Sequence, residues 1–412
     1  MFDNNQLISA YANNPLISAC GPILDPHEIG KALTHLPELP RESVNLPFYI
    51  RKHIVPSIRD LFIPNPVCIS LAESVDVMIR QGYSKTRPGT SEFWKSFYCK
   101  TKSNTQAPAC AATLVGISGA GKTISIERIL NLYPQYHVHQ SLPGYIGKFT
   151  QLIWLKVDAP KSGKLGDLAY DLMLATNQAL GTEYFEASLK KEKRPPTMFD
   201  EWVDIANKHM LGFLVIDEIQ NFFKLEPKKE RLRNKTDDKL EIRIADNQTL
   251  NSIVNFTNKH RIPLLASGTP DGLAIFRSRL STSQRLTTGG HHQLDVPSTA
   301  DDKHFSNTIF PIFTEYQWVK NKVQKSEELR DLFFDLTACI PRVYTNLWVV
   351  SHKVAYEKGE DALSKEIIIE AMNSYMKPVI PAIEALKSNN PNSLKKYEDL
   401  YPRDHHIWRM EI

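Results

Sequence analysis

The chain has 412 residues, of which 42% are hydrophobic and 23% charged, and it carries a formal net charge of +4. This length allows a sizeable core and two or three domains, and the composition is that of an ordinary globular protein. No stretch approaches the roughly 20 apolar residues of a membrane span, and the N-terminus does not resemble a signal peptide. The mildly basic charge is compatible with nucleic-acid binding and equally with a solvated surface.

The cysteines are scattered along the chain without a CxxC pair, at Cys20, Cys68, Cys99, Cys110 and Cys339. This pattern is typical of buried thiols in a reducing cytosol. It argues against a disulfide framework and against a structural zinc site.

The N-terminal part of the chain is rich in proline, with prolines at 37, 40, 47, 56, 64 and 66. Each proline removes a backbone donor and fixes φ, so we expect short elements here and one helix near Ala72–Arg80. We predict that residues 1–105 form an N-terminal extension that binds a partner.

From residue 106 the pattern changes to alternating strands and helices. The short apolar runs AATLVGIS, LIWLKVD, GFLVIDE and IPLLASGT are typical of strands buried on both faces. Helix-like segments lie between them, so residues 106–296 are predicted to form an α/β core with a parallel sheet flanked by helices. Residues 297–380 place apolar residues three and four apart, which predicts a small helical lid domain, and residues 381–412 form a proline-punctuated tail.

The first chemical motif is a complete G-x-x-x-x-G-K-[ST] pattern between a predicted strand and a predicted helix. Its glycines let backbone N–H groups approach phosphates closely, Lys122 would reach the β- and γ-phosphates, and the Thr123 hydroxyl would bind Mg²⁺. The candidate nucleotide-binding residues are Gly116, Ile117, Ser118, Gly119, Ala120, Gly121, Lys122, Thr123 and Ile124. We therefore expect ATP and Mg²⁺ as cofactors.

The second motif is the apolar strand Phe213–Ile216 followed by Asp217 and Glu218. Asp217 suits Mg²⁺ binding, and Glu218 suits activation of the attacking water. The pair lies 95 residues after Lys122 (217 − 122), beyond another strand–helix unit. An Asp-Glu pair in this position favours ATP hydrolysis over phosphoryl transfer to a small acceptor.

Three further polar positions are candidates for contact with the γ-phosphate. Leu264–Pro270 is a strand that ends in hydroxyl residues, of which Thr269 or Ser267 could be a sensor, although a simple strand cap is an alternative. Arg285, or else Arg279, could be presented to the ATP of a neighbouring subunit, although a solvated basic helix would look the same. Arg342, at the start of a predicted helix, could reach back as a second sensor or could be an ordinary surface arginine.

The segment Lys224–Arg243 contains eight basic and five acidic residues. It is typical of an exposed charged loop, and a surface for DNA phosphates or a protein partner is the alternative.

Beyond these motifs the chain resembles TnsC and its TniB relatives, the AAA+ ATPases that regulate cut-and-paste and CRISPR-associated transposons. The resemblance spans roughly residues 70–390 and is carried by Ser74–Tyr83, Ile124–Pro134, Leu214–Gln220, Leu264–Pro270 and Leu363–Lys387. The family motifs fall on Lys122, Thr123, Asp217, Glu218, Thr269 and Arg285. Two departures are a longer Lys224–Arg243 segment and an earlier C-terminus, and Arg342 is not a uniform feature of the family.

The resemblance implies an ATPase of the bacterial cytoplasm, associated with the nucleoid, that assembles as a ring or helical filament on double-stranded DNA. Such proteins link a target selector of the TniQ or TnsD type to the transposase TnsB, often with TnsA, and hydrolysis controls assembly. Contacts to the DNA backbone would give weak sequence preference, and Lys148, Lys161 and Lys164 are candidates for them. The alternatives are an initiator or helicase loader of the same fold and a signalling NTPase that does not bind DNA.

Overall fold

The computed structural model describes residues 4–89, 93–95, 97, 108–190, 194–222, 252–253, 256–257, 260–270, 272, 280–388, 390–394 and 397. Four sequence predictions fall outside these residues: the charged segment Lys224–Arg243, the candidate Arg279, the thiol of Cys99 and the tail beyond residue 397.

The strands are short and mostly apolar. They are β1 (Ala111–Gly116), β2 (Tyr136–His139), β3 (Phe149–Leu152), β4 (Trp154–Asp158), β5 (Phe213–Asp217), β6 (Leu264–Gly268) and β7 (His291–Leu294). The described residues contain a five-stranded parallel sheet in the order β4-β5-β6-β1-β7, and β2 pairs with β3 in a separate antiparallel hairpin. Strand β6, which carries the sensor candidates, therefore lies between the two motif-bearing strands β1 and β5.

The helices fall into an N-terminal group, a group that flanks the sheet and a C-terminal group. The first two groups are α1 (Pro15–Ser18), α2 (Pro26–Leu33), α3 (Phe48–Ile54), α4 (Pro66–Ser84), α5 (Lys122–Leu130), α6 (Leu165–Leu180), α7 (Glu186–Leu189), α8 (Pro195–Lys208) and α9 (Leu280–Leu286). The C-terminal group is α10 (Phe310–Phe313), α11 (Glu327–Thr337), α12 (Pro341–Glu357), α13 (Lys365–Tyr375), α14 (Ile380–Ser388) and α15 (Pro391–Leu394). None of the helices in the described part of the chain is both long and apolar enough to span a membrane.

The sheet is covered on both faces, which is why its strands are apolar without alternation. One face packs against α6 and α8 in a cluster that includes Leu172 and Trp202. The other packs against α4 and α5 in a cluster that includes Ile79 and Ile126. The C-terminal helices have a core of their own around Phe333 and Trp348. The predicted α/β core followed by a helical domain is confirmed.

Helix α4 is longer than the proline content of the N-terminal part predicts. Its 19 residues begin at Pro66, where the missing N–H is not needed, and the Asn65 side chain accepts a hydrogen bond from the backbone N–H of Cys68. The prolines at 64 and 66 therefore do not limit the predicted helix to a short one, because a proline at the first helical position starts a helix instead of breaking it. The predicted helix Ala72–Arg80 is its central part.

A buried polar network fixes α4 to the residues before it. Arg80 is 1% exposed and donates to both carboxylate oxygens of Asp76, at 2.9 and 2.8 Å, and to Asn5 Oδ1 at 2.6 Å. The Tyr133 hydroxyl, just after α5, donates to Asp76 at 3.0 Å. The network thus joins the N-terminus, α4 and the nucleotide-binding core.

Residues 35–62 form a strap that reaches from the core to the helical domain and back. Its base is closed by mutual backbone hydrogen bonds between His35 and Phe62. At its tip Arg51, which is buried, forms a bidentate ion pair with Asp361 at 2.7 and 2.9 Å. Residues on both sides of the predicted boundary at 105 therefore share hydrophobic clusters, and the partner-binding role of residues 1–105 stays a prediction.

Candidate functional site

The loop between β1 and α5 has the backbone shape that a phosphate-binding loop requires. Gly119 and Gly121 have φ values of 82° and 97°, in the left-handed region that favours glycine. Lys122 is buried at the start of α5, and its Nζ donates to the carbonyls of Gly116 at 2.7 Å and Ile117 at 3.1 Å. The ammonium is thus held against the first residues of the loop.

The two sequence motifs meet directly. The Thr123 hydroxyl donates to Asp217 Oδ2 at 2.8 Å, although the residues are 94 apart in the chain. Asp217 is fully buried at the carboxyl end of β5, on the sheet face that α5 covers. A buried carboxylate and a hydroxyl are hard oxygen donors, and this donor set fits Mg²⁺.

Glu218 follows Asp217 in a strained conformation. Its φ is 56°, in the left-handed region that glutamate rarely adopts, and its backbone N–H donates to Asp217 Oδ1 at 2.9 Å. Strain of this kind in a non-glycine residue often accompanies function. The half-buried Glu218 side chain accepts a short hydrogen bond from Gln220 Nε2.

The end of β6 brings both sensor candidates to the same edge. Ser267 is the neighbour of Asp217 in the parallel register that pairs Ile216 with Ala266, and its fully buried hydroxyl has no hydrogen-bond partner among the described residues. Thr269 is 4% exposed, and its backbone N–H donates to Gln220 Oε1 at 3.2 Å. Both hydroxyl residues therefore lie beside the motif carboxylates, and the choice between them stays open.

The helical domain contacts the phosphate-binding loop through the start of α12. The Arg342 backbone N–H donates to the Gly119 carbonyl at 3.3 Å. A Cβ on Gly119 would lie 3.2 Å from Arg342 Cβ and 3.1 Å from Ile340 Cγ2, so a side chain at this position would crowd the interface. Arg342 itself is exposed beside the loop, at a position suited to the predicted second sensor.

Arg285 is not brought to the chain's own phosphate-binding loop. It is exposed in the last turn of α9, and its carbonyl accepts a hydrogen bond from the Thr288 hydroxyl. Thr288 in turn contacts Ala111, the first residue of β1. Arg285 therefore lies near the amino end of β1, whereas the phosphate-binding loop follows the carboxyl end of the same strand.

The other predicted residues lie in and around the loop. Ser118 and Ile124 are exposed, Ala120 is half-buried, and Ile117 packs against the core of the helical domain. The candidate DNA-facing lysines are exposed but not clustered: Lys148 precedes β3, whereas Lys161 and Lys164 lie in the loop between β4 and α6.

Sequence reasoning did not identify Gln220 as a site residue. The signal that could have found it is its position two residues after Glu218, opposite the glycine-containing end of β6. A Cβ at Gly268 would lie 2.7 Å from Gln220 Oε1, and a Cβ at Gly272 would lie 2.7 Å from Gln220 Cβ. The glycines thus leave room for the Gln220 side chain.

Comparison with known proteins gives the following matches. A family model described as an AAA domain matches residues 108–276. No curated protein matches the chain significantly. Similar solved structures include the Aeropyrum pernix ORC2 protein in ADPNP and ADP complexes, with 14% identity and a TM-score of 0.41 over 73% of this chain and 66% of that one.

Two further similar structures have lower TM-scores. The Thermotoga maritima RuvB Holliday junction branch migration motor has 13% identity and a TM-score of 0.35, over 72% of this chain and 67% of that one. Drosophila ORC bound to DNA has 10% identity and a TM-score of 0.37, over 73% of this chain and 65% of that one. This chain thus matches about two thirds of the length of each. The strand order, the loop geometry and the AAA-domain match together show that the chain has an AAA+ P-loop fold with a C-terminal helical domain.

Proposed function

We propose that this chain binds ATP with Mg²⁺ and hydrolyses it. The direct contact between Thr123 and the buried Asp217 carries the proposal, because it places both metal-binding candidates at one point beside Lys122. When bound, Mg²⁺ would neutralise charge on the β- and γ-phosphates. Lys122 would exchange the carbonyls of Gly116 and Ile117 for phosphate oxygens.

Glu218 is the proposed general base. It lies one residue beyond Asp217 at the carboxyl end of β5, where a water attacking the γ-phosphate would be within reach. Thr269 or Ser267 would orient the phosphate or the water from the neighbouring strand, and Arg342 would do so from the helical domain. We expect Glu218→Gln to retain ATP binding and to reduce hydrolysis by about 10²- to 10⁴-fold.

Hydrolysis is proposed to depend on assembly of subunits. Arg285 lies near the amino end of β1, away from its own loop, and this supports a role at the site of a neighbour instead of its own. A contact between the Arg285 surface of one subunit and the nucleotide-binding surface of the next is heterologous, and repeated contacts of this kind generate a ring or a helical filament. ATP bound between subunits would link nucleotide binding to assembly.

We further propose that the assembly forms on double-stranded DNA and regulates transposition. The resemblance to TnsC and TniB over residues 70–390 supports this, and the net charge of +4 is compatible with it. In this role the protein would connect a TniQ- or TnsD-type target selector to TnsB and TnsA. Backbone contacts would make binding weakly dependent on sequence and strongly dependent on salt.

Negative-stain electron microscopy with ATP, with and without a duplex of random sequence, tests the proposal. Rings or filaments on the duplex that are absent for Lys122→Ala would support a DNA-assembled regulator. Particles indifferent to DNA would contradict it and favour a switch between protein partners. Protection of one defined DNA sequence in a nuclease footprinting assay would instead favour an initiator.

A mixing experiment tests the role of Arg285. Arg285→Ala keeps Glu218, and Glu218→Gln keeps Arg285, so each variant alone should be inactive. In a 1:1 mixture about a quarter of the interfaces would combine an intact Glu218 with an intact Arg285 of the neighbour. Recovery of hydrolysis in the mixture is expected, and no recovery would remove Arg285 from the site.

A further inference from the structure

The Gln220 carboxamide bridges Glu218, the proposed general base, and the turn after β6 that contains Thr269, here called the sensor turn. Its Nε2 donates to Glu218 Oε2, and its Oε1 accepts the Thr269 backbone N–H at 3.2 Å. A backbone N–H can only donate, so the carboxamide oxygen must face Thr269. The NH₂ group is therefore directed to the Glu218 carboxylate, and the alternative flip of the amide is excluded.

The surroundings of Gln220 hold this orientation. Gly268 and Gly272 line the space that the side chain occupies, and any Cβ there would come within 2.7 Å of Gln220. The turn that carries Gln220 is itself fixed, because Asn221 Nδ2 donates to the Ala159 carbonyl at 2.8 Å. The bridge thus belongs to a tightly packed turn and not to a free surface side chain.

We propose that Gln220 is the positioning residue that orients the Glu218 carboxylate for catalysis; this inference rests on the proposed ATP hydrolysis. A glutamate side chain has three rotatable bonds, and a hydrogen bond to one carboxylate oxygen restricts them. Gln220 holds Oε2 and leaves Oε1 available for a water molecule. The second hydrogen bond of Gln220, from the Thr269 backbone N–H, fixes the position of the Glu218 carboxylate relative to Thr269.

The steady-state ATPase rate of Gln220→Leu is the first test. Leucine preserves most of the volume but removes both hydrogen bonds. We expect kcat to fall by about 10- to 100-fold, part of the 10²- to 10⁴-fold that a general base contributes. The Kd for a fluorescent ATP analogue should change by less than about threefold, because Lys122 and Thr123 are untouched. Gln178→Leu, on the exposed surface of α6, is the matched control and should retain full activity.

The isosteric variant Gln220→Glu separates positioning from a purely structural role. Its carboxylate can still accept the Thr269 N–H, but it places a second negative charge beside Glu218. Repulsion between the two carboxylates should turn the Glu218 carboxylate away from its catalytic orientation. We therefore expect kcat to fall by about 10- to 100-fold, as for Gln220→Leu, while the Kd for the ATP analogue changes by less than about threefold.

Gly268→Ala perturbs the bridge without changing Gln220. The new Cβ would lie 2.7 Å from both Gln220 Oε1 and Ile219 Cγ1, so it should displace the carboxamide and lower kcat at least as much as Gln220→Leu does. Adding Gln220→Leu to Glu218→Gln should cause no further loss, because the residue to be positioned is already absent.

The outcomes separate the two proposals. If the wild-type protein on DNA hydrolyses ATP no faster than Lys122→Ala, the proposed ATPase function fails. If the wild type is active and Gln220→Leu retains kcat within about twofold, only the positioning role fails. Should Gln220→Leu lose nucleotide binding through misfolding, a kcat of Gln220→Glu within about twofold of the wild type would overturn the inference.

Discussion

Replacing Arg80 by Met should lower the free energy of unfolding by about 3–5 kcal/mol, because it breaks a buried ion pair. The Arg80 side chain is 1% exposed and that of Asp76 is 15% exposed. Methionine keeps the length of the apolar stem but removes the bonds to Asp76, to Asn5 and to two backbone carbonyls of the N-terminal segment. The Asp76 carboxylate would then retain only the Tyr133 hydroxyl among its bonds to side chains described above.

Urea unfolding followed by tryptophan fluorescence measures this loss. The matched control is Lys190→Met, which breaks another i,i+4 ion pair, with Glu186, on an exposed helix. That pair should contribute little to stability, because water screens both groups. If Arg80→Met loses no more stability than Lys190→Met, burial does not strengthen the Arg80 network and the reasoning is refuted.

Two further predictions concern packing and pH. Gly212→Ala would place a Cβ 2.4 Å from Tyr83 Oη and should destabilise the fold by about 1–3 kcal/mol. The control is Gly30→Ala in helix α2, where the new Cβ would meet one atom, at 3.6 Å, and stability should be unchanged or higher. Urea unfolding of both variants measures the difference. Burial lowers the pKa of His352 from 6.5 to about 4, so between these values the unfolded chain binds more protons and stability falls as pH decreases. From pH 6.5 to 5 the loss should be about 1.5 kcal/mol, and His352→Gln should remove it. Equal slopes of stability against pH for both proteins would contradict the assignment.

The main strands could be predicted from the sequence because both of their faces are buried. Strand β7, His291–Leu294, could not be predicted, because it has no apolar run. It forms because β1 offers hydrogen-bonding partners along its free side. The hairpin of β2 and β3 escaped prediction for a similar reason, because three of the four β2 residues are exposed and carry no burial signal. Pairing between strands, rather than local preference, decides such elements.

In the candidate site, the sequence is most informative where the residues are contiguous in the chain. Gly116–Thr123 forms one loop, so its residue types alone indicate phosphate binding. The bridge through Gln220 depends on strands β5 and β6 ending side by side. It joins Gln220 to Thr269, and these residues are 49 apart in the chain. The contact of Arg342 with Gly119 depends on how the helical domain docks, which no local pattern encodes.

The docking of the helical domain also bears on how nucleotide could move it. The domain is attached to the core at the phosphate-binding loop, through Arg342 and Gly119, and through the strap of residues 35–62. The strap is joined to the helical domain by Arg51 and Asp361 and to the core by Arg128, which donates to the Asp60 carbonyl and lies 5.0 Å from the Phe62 ring centroid.

A rearrangement of the loop on ATP binding would displace the start of α12 directly. The strap thus joins the domain to the core at a second place besides the loop. A movement of the domain against the core would carry the strap along or break the Arg51–Asp361 ion pair, in which Arg51 is 3% and Asp361 22% exposed.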